Sequence, residues 1–336
     1  MPAGAEARPA AGGVGARWSS ARRVAGYAAA LAMSLYLVVK VVWIVAGLTG
    51  HGPSDVGTAG WVALNAVTVG MSAVGVALGL ALAQRWGLRL PALPVIFLSW
   101  MGAGFLVPML PYMVISTVLG ASGVDEGGGR AGAGAAESAP GWETVLIGIG
   151  FAGMAAGLAV ALPIYLRERW PSHFLGRIGQ IRLGASRWAW PGTLAAVVLG
   201  LLWLYWGFGG TIGLDPAHLG HRDLNERLLN GNAGLWALLG GCSMLVLHRR
   251  RPARLPLWAP MTLVFTASGS LFAWSCWKLP LAVIRPWDYV PAEHAVVAMI
   301  EHVLSIGAGL ALLIAASKLP AADAHEPKTT GVAAET

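Results

Sequence analysis

Eight apolar runs, each long enough to cross a lipid bilayer, constrain the fold of this chain more than any other sequence feature. They cover residues 24–48, 59–84, 91–118, 142–166, 189–210, 229–248, 257–276 and 293–316. A helix needs about 20 apolar residues to span the hydrocarbon core. The first run exceeds the roughly 7–15 apolar residues of a signal peptide, so we expect an uncleaved first span. The sequence therefore predicts an all-α integral membrane protein with eight transmembrane helices.

The composition supports a multi-pass protein and limits its partners. Only 12% of the residues are charged and 56% are hydrophobic, whereas soluble domains carry about 25% charged residues. The net charge of +7 comes from basic residues that flank apolar runs, which favours the lipid bilayer and its acidic headgroups as partner, not nucleic acid. Cys242 and Cys276 lie in or beside apolar runs, so no disulfide framework or zinc site is expected. The Ala-, Gly- and Arg-rich composition resembles that of bacterial membrane proteins from GC-rich genomes.

The second half of the chain repeats the first. The stretch YLVVKVVWIVAGLTGHGP at 36–53 returns as LGLLWLYWGFGGTIGLDP at 199–216. The matched positions include Trp43 and Trp206, Gly47 and Gly210, Pro53 and Pro216, Asn65 and Asn230, Gly75 and Gly240, Gly104 and Gly269, and Glu143 and Glu293. Each module contains four spans, so the second copy keeps the orientation of the first. We therefore expect two parallel four-helix repeats, 24–166 and 189–318, related by an axis along the membrane normal.

The charges outside the spans predict the orientation. With a cytoplasmic N-terminus, seventeen of the 23 Lys and Arg residues lie in cytoplasmic segments and five in outer loops. This asymmetry predicts a cell-membrane protein with both termini in the cytoplasm. The lead 1–23, the outer loop 119–141 and the tail 319–336 are expected to be disordered. The cytoplasmic linker 167–188 is either a short helix on the inner leaflet or a solvated connection.

Two charges inside spans are the strongest site candidates, because ionisable groups in lipid are costly and often functional. Lys40 lies in the first span and Glu301 in the eighth, each about 12 Å from the expected outer end. In the repeat alignment Lys40 matches Trp203 and Glu301 matches Phe151. We expect the first and eighth spans to touch, with Lys40 paired to Glu301 and Trp203 meeting Phe151. Alternatively Lys40 reaches the outer interface while Glu301 is protonated or faces a watery cleft, and a pair can be structural or ion-coupled.

Three further polar residues complete the hypothetical binding site. His302 adjoins Glu301, and Asn65 and Asn230 occupy matched positions in the second and sixth spans. The two asparagines either form interhelical hydrogen bonds or line an outward cavity. No second mid-span histidine accompanies His302 on another helix, so a haem and other cofactors are not expected.

The outer loop 211–228 contains a weaker pattern. Asp215, His218 and His221 offer oxygen and imidazole groups of the kind that ligate zinc or copper. Their spacing matches no known metal motif, and a solvated loop that caps the sixth span is the simpler interpretation.

No motif assigns the chain to a characterised activity. It lacks GxxxxGKS/T, HExxH and GxSxG, which disfavours an ATPase, a zinc protease and an ordinary hydrolase. The first hypothesis is a non-enzymatic permease for a small molecule or lipid, with its site in the outer half around Lys40 and Glu301. The alternatives are a membrane-embedded enzyme that uses Glu301 and His302 on a lipid-like substrate, and a structural or signalling subunit with a membrane partner.

Overall fold

The computed structural model describes residues 15–51, 57–123, 141–180, 186–285 and 291–319. Within these ranges the chain is helical apart from two isolated β-bridges and the connecting turns. The helices are α1 Ala16–Leu48, α2 Thr58–Ala83, α3 Ala92–Leu106, α4 Met109–Ala121, α5 Gly141–Arg169, α6 Pro171–Phe174, α7 Ala189–Gly207, α8 Leu224–Arg249, α9 Trp258–Ile284 and α10 Ala295–Ser317.

Six of the helical segments are long and apolar enough to cross a membrane. They are α1, α2, the continuous stretch 92–121 that contains α3 and α4, α5, α7 and α10. The predicted spans at 229–248 and 257–276 fall within α8 and α9, which have 26 and 27 residues but a lower hydropathy. The chain is therefore a multi-pass helical membrane protein.

The first helix begins earlier than the apolar pattern indicates. α1 starts at Ala16, so residues 16–23, predicted as part of a disordered lead, are helical. The reason is a buried anchor at Arg22, which is only 2% exposed. Its Nε lies 3.0 Å from Oε2 of Glu168 on α5, and its Nη1 donates to the carbonyl of Leu82 on α2. The rest of the lead, most of the 119–141 loop and nearly all of the tail lie outside the described residues.

The third span is divided into two helices at Pro108. Proline has no N–H and cannot donate to the carbonyl four residues earlier, so a helix tends to break there. α3 ends at Leu106 and α4 begins at Met109. The side-chain amide of Asn232 on α8 donates to the Pro108 carbonyl at 2.8 Å. This hydrogen bond joins α8 to the third span at the position of the break.

Each half of the chain has its own packing centre. α1 packs against both α2 and α5, while α7 packs against α8 and α10, and α9 packs against α8 and α10. Small residues permit close approach in the first half: a Cβ atom added to Gly79 would lie 2.8 Å from the backbone nitrogen of Ala30. Such small-residue contacts are the usual means of packing helices in lipid.

The two halves meet mainly through α3 and α9. The indole N–H of Trp100 on α3 donates to Oγ of Ser268 on α9 at 2.9 Å. The same indole stacks on Phe272, with ring centroids 4.6 Å apart. Since Trp100 and Ser268 are both fully buried, this contact combines apolar burial with a satisfied polar group.

The linker between the halves is docked onto the protein. The amides of Ile178 and Gly179 donate to the carbonyls of Leu255 and Ala253, both at 3.0 Å, and Ile178 is fully buried. Among the described residues of this segment, 167–169 continue α5, Pro171–Phe174 forms one short α-helix and Ile178–Gln180 forms a 3₁₀ turn. Backbone pairing with the α8–α9 connection therefore holds the described linker residues Ile178 and Gly179 in place, and the position of the linker on the inner leaflet stays a prediction.

A second backbone contact joins two other connections. The amide of His294 donates to the Gly213 carbonyl at 2.9 Å, and the amide of Asp215 donates to the Ala292 carbonyl at 3.0 Å. The α7–α8 connection therefore lies beside the segment that leads into α10.

Candidate functional site

Lys40 on α1 is buried against aromatic rings. Its side chain is 4% exposed, and its Nζ lies 3.8 Å from the ring centroid of Trp43 and 5.5 Å from that of Tyr36. A cation over an indole face is attracted by the ring quadrupole, an interaction worth about 2 kcal/mol when desolvated. The ammonium is thus stabilised within its own helix.

The surroundings of Lys40 come from α2 and α5. The Trp43 indole donates to Oε2 of Glu143 at 2.8 Å, and the Trp61 indole donates to the Trp43 carbonyl at 3.0 Å. Glu143 is the carboxylate that acts electrostatically on Lys40, although no carboxylate within the described residues lies within 4 Å of its ammonium. The first half therefore contains a charged aromatic cluster at the predicted outer ends of α1 and α5.

Glu301 on α10 lies in a different environment. It is 3% exposed, and its Oε2 accepts a hydrogen bond from the Trp203 indole on α7 at 3.3 Å. Its Oε1 lies 3.4 Å from Nδ1 of His302. The fixed charges that act on it are those of Glu293 and Lys278. The carboxyl group is thus buried beside one neutral donor and one imidazole.

The predicted ion pair between Lys40 and Glu301 is wrong. The principal neighbours of α1 are α2 and α5, whereas those of α10 are α9 and α7. The indole of Trp203 faces Glu301, and Phe151 packs against Tyr36 with ring centroids 4.9 Å apart, so the expected Trp203–Phe151 contact is also replaced. Similar expected depth did not imply adjacency, because α5 packs against α1 and α10 packs against α7.

His302 lies next to Glu301 with an unused nitrogen. The side chain is 3% exposed, and its Nδ1 has no hydrogen-bond partner within the described part of the chain. Three residues further along α10, Ser305 donates to the Leu271 carbonyl on α9 at 2.8 Å, which fixes the register of these two helices. A buried imidazole nitrogen without a partner is an exception that calls for an explanation.

The two asparagines occupy different surroundings. Asn65 is buried, and its amide donates to the Trp61 carbonyl of its own helix at 2.9 Å. Asn230 is half-buried on α8. Two other asparagines of α8 connect it to the third span: Asn232 donates to the Pro108 carbonyl and Asn225 accepts from the Tyr112 hydroxyl. Sequence reasoning overlooked Asn232 because its repeat-equivalent, Val67, is apolar.

The candidate metal ligands have other contacts. Oδ1 of Asp215 accepts the Ala217 amide at 2.9 Å, and Nε2 of His218 lies 2.9 Å from Oε2 of Glu226. Within the described residues no three His, Cys, Asp or Glu side chains converge as metal ligands. The His221 side chain lies outside the described part, so this weak metal site stays a prediction.

Sequence reasoning also missed the role of Glu143. It was matched to Glu293 as a repeat position, but its pairing with Trp43 was not anticipated. Both members of this contact recur in the second half as Trp206 and Glu293, and that recurrence was the available signal.

No protein-family model, curated protein or solved structure matches the chain. The site must therefore be interpreted from its own chemistry.

Proposed function

We propose that the protein is an eight-span permease built from two parallel repeats, with its polar site at Glu301 and His302. The first support is the pairing of its connections. The linker pairs with the α8–α9 connection, and the α7–α8 connection pairs with the residues before α10. If these two paired regions lie on opposite faces of the membrane, α8 and α9 each join one face to the other and therefore cross it.

The position of α9 accounts for its modest hydropathy. It packs against α3, α8 and α10, and Thr266, Ser268 and Ser275 are all buried on it. A helix that is enclosed by other helices does not need a lipid-compatible surface. Counting α9 and α8 as spans is therefore consistent with their composition.

The packing pattern also supports the duplication. In each half the first span contacts the second and the fourth: α1 contacts α2 and α5, and α7 contacts α8 and α10. The third spans of the two halves contact each other, and the matched residues Gly104 and Gly269 lie in that contact. Equivalent residues that meet across an interface are expected beside a two-fold axis.

The charge distribution supports an N-in, C-in orientation in the cell membrane. The face with the linker and the α8–α9 connection contains Arg177, Arg249, Arg250, Arg251 and Arg254. Cytoplasmic loops are enriched in Lys and Arg, so we assign this face to the cytoplasm, with the bilayer as lipid partner.

The observation on which the permease proposal depends is the burial of Glu301 and His302 without a cation within 4 Å of the carboxylate in the described structure. A buried ionisable pair costs several kcal/mol per ion before compensation. The matched position in the first half is Phe151, so the repeat fold does not require a carboxylate there. A costly group that the fold does not need points to a functional role.

Solute uptake by the purified protein in liposomes tests this proposal. A panel of small organic solutes and short-chain lipids is offered to wild type, Glu301→Gln and Glu143→Gln. We expect flux of at least one solute in wild type, a loss of at least tenfold in Glu301→Gln, and smaller changes in Glu143→Gln. The Glu143 variant is the matched control, since it removes a buried carboxylate that also accepts an indole N–H. Absence of flux for every solute would reject the permease.

A structural or signalling subunit is the second candidate, because both Lys40 and Glu301 are sealed from solvent. Such a subunit should copurify with a membrane partner in mild detergent and show no flux. The acid–base enzyme is less well supported, since His302 is 3% exposed and a lipid substrate would have to reach it.

A further inference from the structure

We infer that Glu301 and His302 together hold a single exchangeable proton, which makes the proton the coupling ion of the proposed permease. This inference rests on the proposed function for its role in transport. The proton site itself is a separate property and can be measured without any solute.

The geometry places a donor and an acceptor next to each other. Oε1 of Glu301 lies 3.4 Å from Nδ1 of His302, while Oε2 is engaged with the Trp203 indole. When Glu301 is protonated, the proton is bound to Oε1, the oxygen that does not face the indole. A small side-chain adjustment then lets this O–H donate to the unpartnered Nδ1.

The donor set favours a proton over a metal ion. Hard cations such as Ca²⁺ take six or more oxygen ligands and Mg²⁺ requires an octahedral set, and no three metal-ligating side chains converge in the described residues. The identified groups around the Glu301 carboxyl are an indole N–H and an imidazole. A N–H donor does not ligate a cation, whereas a carboxyl group binds a proton with no further ligand.

The charge balance is straightforward. A protonated Glu301 beside a neutral His302 has no net charge, and transfer of the proton from Oε1 to Nδ1 gives a carboxylate and an imidazolium, again neutral in sum. Release of the proton to water leaves one carboxylate, to which the Trp203 N–H still donates. The two neutral states suit a buried site, while the anionic state is expected only when the site opens to water.

The other titratable groups on the packed helices are few. Glu293 and His294 directly precede α10, and α9 has Lys278 and Cys276. α7 has Tyr205, and α8 has Cys242 between its charged ends. Glu293 and Lys278 have opposite charges, so their electrostatic effects on an anionic Glu301 oppose each other.

Infrared spectroscopy of the protein in liposomes tests the site. The carbonyl stretch of a protonated carboxyl group is separate from carboxylate bands, so its pH titration reports directly on Glu301. We expect the band at neutral pH in wild type and in Glu143→Gln, its loss at high pH, and its absence in Glu301→Gln. In His302→Gln the band should remain but titrate at a pH shifted by at least half a unit.

The outcomes separate the two proposals. A band that persists in Glu301→Gln, or a titration in His302→Gln that superimposes on wild type, overturns the shared-proton site. Solute flux without the carbonyl band would reject the proton site but support the permease. The band without flux for any solute would support the proton site but reject the permease. Thermal unfolding of each variant serves as the folding control: a variant that lacks the band and also lacks a wild-type-like unfolding transition is misfolded.

Discussion

Gly104 on α3 and Gly269 on α9 bring the two halves of the protein into backbone contact. A Cβ atom at Gly104 would lie 2.1 Å from the carbonyl carbon of Gly269, and one at Gly269 would lie 2.4 Å from the Trp100 carbonyl oxygen. No side chain fits between the two helices at these two positions. Their contact therefore depends on glycine at both positions.

Replacement of Gly104 by alanine should force α3 and α9 apart. Because the obstacle is backbone, we expect a loss of about 1–3 kcal/mol or more, the range for overpacked sites. Unfolding in mixed micelles titrated with denaturing detergent measures the change. Gly70→Ala on α2 is the control, since its Cβ would meet nothing within 4 Å and alanine favours the helix. Equal losses in both variants would contradict the backbone contact.

Ser268→Ala should destabilise the same interface by about 1 kcal/mol, because Trp100 loses its acceptor in a setting where hydrogen bonds between membrane helices have that value. The same unfolding assay applies. Ser72→Ala provides the comparison, as Ser72 donates to Thr68 of its own helix. The prediction fails if the Ser72 variant loses as much stability.

Glu168→Gln should strongly destabilise the contact between α1 and α5 near Arg22. It leaves the buried Arg22 guanidinium without its ion partner, and breaking a buried pair costs about 3–5 kcal/mol. Arg22→Met combined with Glu168→Gln should lose less than the sum of the two single variants. Strict additivity in a double-mutant cycle would argue against the pair.

Lys40→Met and Glu301→Gln should be additive within about 0.5 kcal/mol, since their side chains belong to separate halves and additivity holds for distant sites. By contrast, Trp43→Phe and Glu143→Gln should show coupling above that value, because these side chains share a hydrogen bond. Both cycles use the free energy of unfolding. A coupling energy above that value between Lys40 and Glu301 would indicate that the two side chains do form an ion pair.

Cysteine accessibility should locate the two faces of α8. In a background with Cys242 and Cys276 replaced by alanine, Gly220→Cys and Arg254→Cys place thiols at exposed positions before and after this helix. In intact cells a membrane-impermeant maleimide should label the first and spare the second until the cells are permeabilised. Labelling of both from outside would show that α8 does not cross.

The positions of the helices were largely predictable, because apolar length alone determines where a chain can enter lipid. The start of α1 was not, since residues 16–23 contain Arg17, Arg22 and Arg23, and only the partner Glu168 on α5 makes burial of Arg22 acceptable. Hydropathy contains no information about such a distant partner.

The partners of the buried charges were equally beyond the sequence. The sequence predicts a Lys40–Glu301 pair from their similar expected depth in the membrane. Depth says how far along its helix a residue lies, but not which neighbouring helix its side chain faces. The face of the Trp43 ring lies beside the Lys40 ammonium and the Trp203 N–H donates to the Glu301 carboxyl group, so tryptophans occupy the places where opposite charges were expected.

The enclosed position of α9 has a consequence for biosynthesis. During synthesis α9 leaves the ribosome before α10, so one of the three helices that enclose it is still missing at that stage. We expect α8 and α9 to insert as a hairpin and to depend on α3, already in place, as a receptor. If α9 crosses the membrane as proposed, the order of the helices along the chain thus provides it with a docking surface at the moment of its insertion.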